Sequence, residues 1–172
     1  MHKNLDVTTY RNGDPIPQAS SASEWLGTKS GAWCYYNEDS TNGPIYGKLY
    51  NWYAVNDQRG LAPAGYRIPS VDDWTILGSF LGGESQAGTK MKSVSLWATP
   101  NGTNSSGFTG LPGGARNSNG NFGNIINEGN FWCSNEKSSS DAFIRMLGTN
   151  SSSLRLFEYR KNWGFSVRCI KE

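Results

Sequence analysis

Between Phe131 and Ile170 short runs rich in aromatic and β-branched residues alternate with clusters of Ser, Asn and Gly. The runs are Phe131-Trp-Cys-Ser-Asn-Glu136, Ala142 to Leu147, Leu154 to Tyr159 and Trp163 to Ile170. Recurrence at intervals of roughly ten residues is the pattern of antiparallel strands joined by hairpins. Side chains of a strand point alternately to its two faces, so such a meander commits one set to a core and leaves the other as an outward row. Phe143, Arg145, Arg155, Phe157, Glu158, Tyr159, Arg160, Asn162 and Trp163 all fall in this stretch. Rings and guanidinium groups facing water point to recognition. The plainer alternative is a half-exposed sheet whose aromatics pair across strands.

A chain of 172 residues is long enough to bury most of its apolar surface in one core, so residues 1–172 are expected to form a single domain. Only 17% of the residues are charged, whereas 21 are Gly and 22 are Trp, Tyr or Phe (7, 8 and 7), which favours turns and strands over helix. A net charge of +2 with no basic run argues against nucleic acid, whose phosphates need a concentrated positive face. No apolar stretch approaches the roughly twenty residues that span a bilayer, so no direct membrane insertion is expected. Met1-His-Lys3 forms no signal peptide, and a strand-like stretch starts almost at once. That is the expected look of a fragment of a longer, exported chain. Cys34, Cys133 and Cys169 allow at most one internal bridge, lack the close pairing of a zinc site, and have only His2 as a histidine companion. They read as small buried hydrophobes.

In chain order, Asn4 to Tyr10 reads as an opening strand, residues 16–31 as a long loop with one helical turn near Trp25 and Leu26, and Ala32 to Asn37 as a second strand. Leu49, Trp52 and Tyr53 have the spacing of a short helix. The clearest helix starts after Ser70, a good N-cap. Asp72 and Asp73 complement its dipole, Val71, Trp74, Leu77 and Leu81 form an apolar stripe, and Gly82-Gly83 stops it. A lesser helix spans Ser85 to Ser93. From Trp97 to Asn124 the composition predicts a long loop pinned by Phe108, Leu111 and Phe122.

Five motifs occur in a fixed order: Gly47-Lys-Leu-Tyr-Asn-Trp-Tyr-Ala-Val55, Ala62-Pro-Ala-Gly-Tyr-Arg-Ile-Pro-Ser70 followed by Asp73-Trp74, Gly88-Thr-Lys-Met-Lys-Ser93, Gly107-Phe-Thr-Gly-Leu-Pro-Gly-Gly-Ala-Arg116 and Gly164-Phe-Ser-Val-Arg-Cys169. Together they resemble the Fibrobacter succinogenes major paralogous domain, a family of Bacteroidetes and their phages, along nearly the whole chain. The resemblance implies an α+β chain with the C-type lectin-like fold, on the branch that includes the formylglycine-generating enzymes. Two short helices, Leu49 to Val55 and Val71 to Leu81, would pack on a small twisted antiparallel sheet whose first and last strands meet, with long irregular loops before the final strands. Many relatives carry Cys-Pro where this chain has Ala62-Pro63, so a bridge through that cysteine cannot form and Cys169 is left free or differently paired. Some members are targets of diversity-generating retroelements, which randomise exposed C-terminal positions. Here a frame of Trp132, Ser134, Ala142, Gly164 and Phe165 would hold the variable candidates Phe131, Lys137, Phe143, Arg145, Leu147, Phe157, Tyr159, Arg160, Asn162 and Trp163.

Catalysis through paired cysteines would need a base or cation to lower a thiol pKa, and no histidine is available for that. Calcium needs six or more oxygens. The Glu-Pro-Asn and Trp-Asn-Asp triplets that supply them in calcium-dependent lectins are absent, and Trp132-Cys-Ser-Asn-Glu136 offers only Asn135 and Glu136. No catalytic residue, metal or cofactor is therefore assigned. The sequence is read as a non-enzymatic module for a protein or glycan ligand, displayed on a cell surface or phage tail. In that reading Phe143, Tyr159 and Trp163 are apolar anchors, while Arg145, Arg160 and Asn162 supply directed hydrogen bonds. A double Ala replacement at Tyr159 and Trp163 is expected to abolish binding and leave stability nearly intact. The alternative is a scaffolding domain of an exported protein with no ligand of its own.

Overall fold

The computed structural model describes residues 1–172, an α+β arrangement of short helices on a curled mixed sheet. In chain order the elements are α1 (Ala22–Gly27), β1 (Trp33–Cys34), α2 (Gly43–Tyr46), β2 (Leu49–Tyr50), α3 (Trp52–Val55), β3 (Tyr66–Arg67), α4 (Val71–Phe80), α5 (Glu84–Met91), β4 (Gly113–Arg116), β5 (Phe122–Ile125), β6 (Glu128–Glu136), β7 (Asp141–Gly148), β8 (Leu154–Arg160) and β9 (Ile170–Lys171). The main sheet runs β5-β4-β6-β7-β8; its β4–β6 pairing is parallel and its other pairings are antiparallel. Two ribbons accompany it, β1 with β2 and β3 with β9.

The expected terminal meander is present as β6, β7 and β8. Its continuation, Trp163 to Arg168, is not a regular strand but a seam. Phe165 exchanges backbone hydrogen bonds with Tyr50, Gly164 with Arg116, and Ser166 accepts from Trp132 and donates to Asn130. Leu5 donates to Val167 in the same seam. The last strand, β9, closes on β3 rather than on the first residues. Asn4 to Tyr10 is irregular, because its backbone bonds go to separate partners: Val167, Lys48 and the bridge Thr9–Pro15.

Local chemistry explains the helices. The predicted helix from Leu49 splits at Asn51, whose side chain accepts from Ala54 N–H and from Ala32 N–H; the first caps α3, and Leu49 and Tyr50 are left to pair with β1. In α4 the predicted cap is a full capping box, Ser70 with Asp73, and Asp73 also takes the Arg67 guanidinium. The predicted long loop contains a hairpin, β4–β5, that a Gly-Gly-Ala-Arg run does not advertise by propensity. Gly114 sits there at φ 66°, with a Cβ position only 2.5 Å from Gly123 O, so no other residue fits.

β6 and β7 are buried on both faces. On one side Trp132, Ala142, Ile144 and Met146 join Tyr50, Phe165 and Val167 in the largest core cluster. On the other, Phe131, Cys133 and Leu147 meet Trp74, Met91 and Leu154 beneath α4 and α5. A third cluster around Trp25, Cys34 and Leu49 lies under β1 and β2. No helix is long and apolar enough to cross a membrane.

Candidate functional site

The β7–β8 hairpin sorts the ten candidate residues by strand register, because residues directly opposite each other in an antiparallel pair share a face. Phe131 pairs with Arg145 and Arg145 with Leu156, while Leu147 pairs with Leu154, so this set faces α4 and α5. Phe131, Arg145 and Leu147 are consequently buried, which corrects their assignment to an exposed binding face. The Phe131 ring centroid lies 5.8 Å from Trp74 and 5.6 Å from Phe108. Arg145 donates to Glu84, Thr75 Oγ1 and Val71 O, tying β7 to both helices.

Phe143 lies on that same face at the hairpin's outer end, half-buried against the helix-side cluster. Lys137 Nζ sits 5.4 Å from its ring and 3.3 Å from the Glu158 carboxylate, Glu158 being the residue opposite Phe143. Lys137 and Glu158 are exposed.

The opposite face of β8 carries Arg155, Phe157 and Tyr159 at alternate positions. Arg155 and Phe157 are exposed, with the guanidinium carbon 5.4 Å from the ring centroid. Tyr159 is half-buried, 4.6 Å from Trp163 and 5.2 Å from Phe165, and Trp163 in turn stacks on Phe165 at 5.6 Å. Burial raises the Tyr159 phenol pKa. Arg160 is exposed at the end of the strand, opposite Asp141. Asn162 uses its carbonyl to accept from Trp25 Nε1 at 2.8 Å, while its side-chain Oδ1 has no partner. Thus Tyr159 and Trp163 meet on Phe165, Phe157 shares their face of β8, Asn162 is tied to Trp25, and Lys137 and Phe143 belong to the other face. Arg155 is the residue that selecting candidates one at a time passed over. Its spacing of two from Phe157 and four from Tyr159 is the signal that places it in the row.

β8 is the edge of the sheet, so one side of its backbone has no strand partner. Its residues 155–160 line none of the better-formed clefts of the molecule.

No three His, Cys, Asp or Glu residues are grouped to hold a metal ion. In the Trp132–Glu136 run, Asn135 Oδ1 already accepts from Val71 N–H at 2.7 Å, and Glu136 pairs with Lys161 Nζ at 2.6 Å. The three cysteines are free and buried, with Cys133 and Cys169 in different core clusters. Burial pushes the Cys133 thiol up to about 12 and the Cys169 thiol up to about 11.

Neither a curated protein nor a solved structure matches the chain. Its sequence does match a family model, over residues 1–171, and the chain belongs to that family, the Fibrobacter succinogenes major domain.

Proposed function

We propose that this domain is a non-enzymatic recognition module of the C-type lectin-like fold, displayed on a cell surface or phage tail, that binds through the outward row of β8. The observation that carries this reading is the row itself: Arg155, Phe157 and Tyr159 on one face of an edge strand, continued by Trp163. Trp, Tyr and Arg supply much of the energy at interfaces because they bury large areas for little lost entropy. A row that lies outside the better-formed clefts favours a protein ligand over a glycan, which is better held in a cleft. At the exposed candidates Lys137, Phe157 and Arg160 retroelement-driven diversification would change specificity without touching the core, whereas at half-buried Phe143, Tyr159 and Trp163 it would also alter core packing.

The test is binding of the purified domain to protein and glycan arrays, with the double variant Arg155→Ala, Phe157→Ala beside it. Retention of a protein ligand by the wild type and its loss by a still-folded variant supports the reading. Equal binding by both, or no ligand in either format, overturns it. Sequencing natural populations adds a second arm: substitutions concentrated at adenine-bearing codons of residues 131–163 support diversification, and an even spread over the gene removes it. The scaffolding alternative draws support from Tyr159 and Trp163, whose packing on Phe165 gives both a structural role.

A further inference from the structure

β8 is open along one side of its backbone as well as on its outer face. Lys161 N–H donates to Ser140 O, and the register of the hairpin, from Asp141 with Arg160 to Leu147 with Leu154, runs without a shift. Hydrogen-bonded pairs alternate along an antiparallel ladder, so Arg155, Phe157 and Tyr159 spend their backbone groups on β7. Leu156 and Glu158 turn theirs the other way, where no strand lies and no backbone group answers them. Besides β7 it is α5 that packs on β8, and it does so at the start, where Leu154 joins Ala87 and Met91. Further along, Leu156 is 41% and Phe157 37% exposed, so the stretch is uncovered on both faces.

Unpaired backbone groups on an edge strand are a template for another strand. The opposite edge of the sheet, β5, is poorly suited: it is four residues long, contains Gly123 and turns at Asn124, whose φ is 65°. β8 has seven residues and no Gly, Pro, bulge or left-handed residue. Its cations are also uncommitted. Glu158, the one carboxylate of the strand, is paired with Lys137. Arg155 and Arg160 enter none of the ion pairs of the molecule.

We infer that the protein ligand of the recognition row adds an extended acidic segment to this edge, antiparallel to β8, with carboxylates opposite Arg155 and Arg160 and an apolar residue opposite Phe157. The inference rests on the recognition reading and deepens it. Leu156 and Glu158 exchange main-chain hydrogen bonds with the added strand. Arg155, Phe157 and Tyr159 fall at its non-hydrogen-bonded pairs, where side chains approach most closely and opposite charges and apolar groups pair best. The ladder fixes the spacing: the apolar residue stands two positions before the carboxylate facing Arg155 and three after the one facing Arg160. Recognition along an edge in this way needs no groove.

The probe is the acetylated, amidated peptide Thr-Asp-Thr-Thr-Ile-Val-Glu-Thr, whose aspartate, isoleucine and glutamate face Arg160, Phe157 and Arg155. In ¹⁵N NMR at millimolar peptide the amide resonances of Leu156 and Glu158 should move downfield, while those of Phe157 and Tyr159, already bonded to β7, should move less. N-methylation of the peptide's valine removes the donor to Leu156 O and should weaken binding about tenfold, the size of a lost main-chain hydrogen bond. The same methyl on its isoleucine, whose N–H faces away from β8, should change little. Leu156→Pro deletes an outward N–H, spares the β7 ladder and should abolish binding by a folded variant. Arg155→Glu should reverse the preference toward a peptide with lysine in place of its glutamate. Equal binding of the two methylated peptides, or unmoved Leu156 and Glu158 amides, overturns the inference on the wild-type protein alone. A dimer in sedimentation that Leu156→Pro abolishes gives the edge to a second copy and overturns it too. Failure of the peptide beside an array ligand that depends on Arg155 and Phe157 removes the added strand and leaves the recognition reading standing, whereas an empty array removes that reading itself.

Discussion

Arg145 at the middle of β7 and Glu84 at the first turn of α5 form an ion pair of 2.7 Å, the arginine side chain 1% exposed and the glutamate 42%. The pair couples the central sheet to the helices over it. Arg145 Nε lacks an acceptor, so part of the cost of burying this charge is not recovered. Arg145→Ala should lower stability by about 3 kcal/mol, since it leaves a void and breaks the network. Arg145→Met fills the space and lets Glu84 turn to water, and should cost only about 1 kcal/mol. Urea denaturation of the two variants checks the order; a binding defect without loss of stability would return Arg145 to the recognition surface.

Tyr159 and Trp163 show where an outward row merges with the core. Both rings rest on Phe165, which is 1% exposed and joined to Tyr50 by backbone hydrogen bonds. Their joint replacement by Ala should therefore cost about 3 kcal/mol, from lost apolar contact and ring pairing, and lower the melting temperature clearly. This replaces the sequence-based expectation of an intact fold. Arg155→Ala with Phe157→Ala, on exposed positions, should change stability by less than about 1 kcal/mol.

α5 fixes the start of β8 through a close approach at Gly88. A Cβ there would stand 2.6 Å from Ser153 O and 2.8 Å from Ser152 O, both backbone atoms that cannot swing away. Gly88→Ala should destabilise by about 2 kcal/mol, the usual size for overpacking, despite the better helix propensity of Ala. Thermal melts read this directly, and an unchanged melting temperature would show that the loop at Ser152 yields.

The meander, the capped helix from Ser70 and the burial of the cysteines were legible because each rests on local signals: alternation, an N-cap with an acidic first turn, a small apolar side chain. The faces were not legible. Sequence gives the alternation of Phe143, Arg145 and Leu147, but only the cover of α4 and α5 decides that this side is closed. Arg145 looks like a surface residue until Glu84, distant in sequence, is placed against it. The seam from Trp163 to Arg168 was also hidden, since its partners Tyr50, Arg116 and Asn130 are non-local and no periodicity records them. Asn51 was the exception that a closer reading of caps would have caught.

The three thiols should be silent in the native protein. Burial pushes Cys34 and Cys133 up to about 12 and Cys169 up to about 11, so almost no thiolate exists near neutral pH. A thiol reagent should label none of the three in buffer and all three in denaturant, and reducing agent should leave the melting temperature unchanged. The raised values also fix a sign. The native state holds these protons more tightly, so their contribution is complete below the unfolded thiol pKa of about 8.5 and is lost as pH rises through the folded values. Alkaline solutions should destabilise the protein, and a Cys34→Ala variant should show a shallower alkaline slope.

At the acid end the informative group is Asp73. The Arg67 guanidinium, first, and the Ser70 cap hold its carboxyl well below the ordinary range. A depressed carboxyl stabilises the fold above its unfolded pKa, about 3.9, and that contribution drains away as pH falls through the lower folded value. Both partners lie near the surface, with Arg67 45% and Asp73 21% exposed, so screening by water keeps the gain modest. Asp73→Asn should cost about 1 kcal/mol near neutral pH, chiefly from the weakened capping box and the lost ion pair. Melting curves of wild type and variant should converge from about pH 5 down to about pH 2, because acid removes in the wild type what the substitution has already removed. A constant separation across that range would mean that the Asp73 charge contributes nothing and that the cap acts through its hydrogen bonds alone.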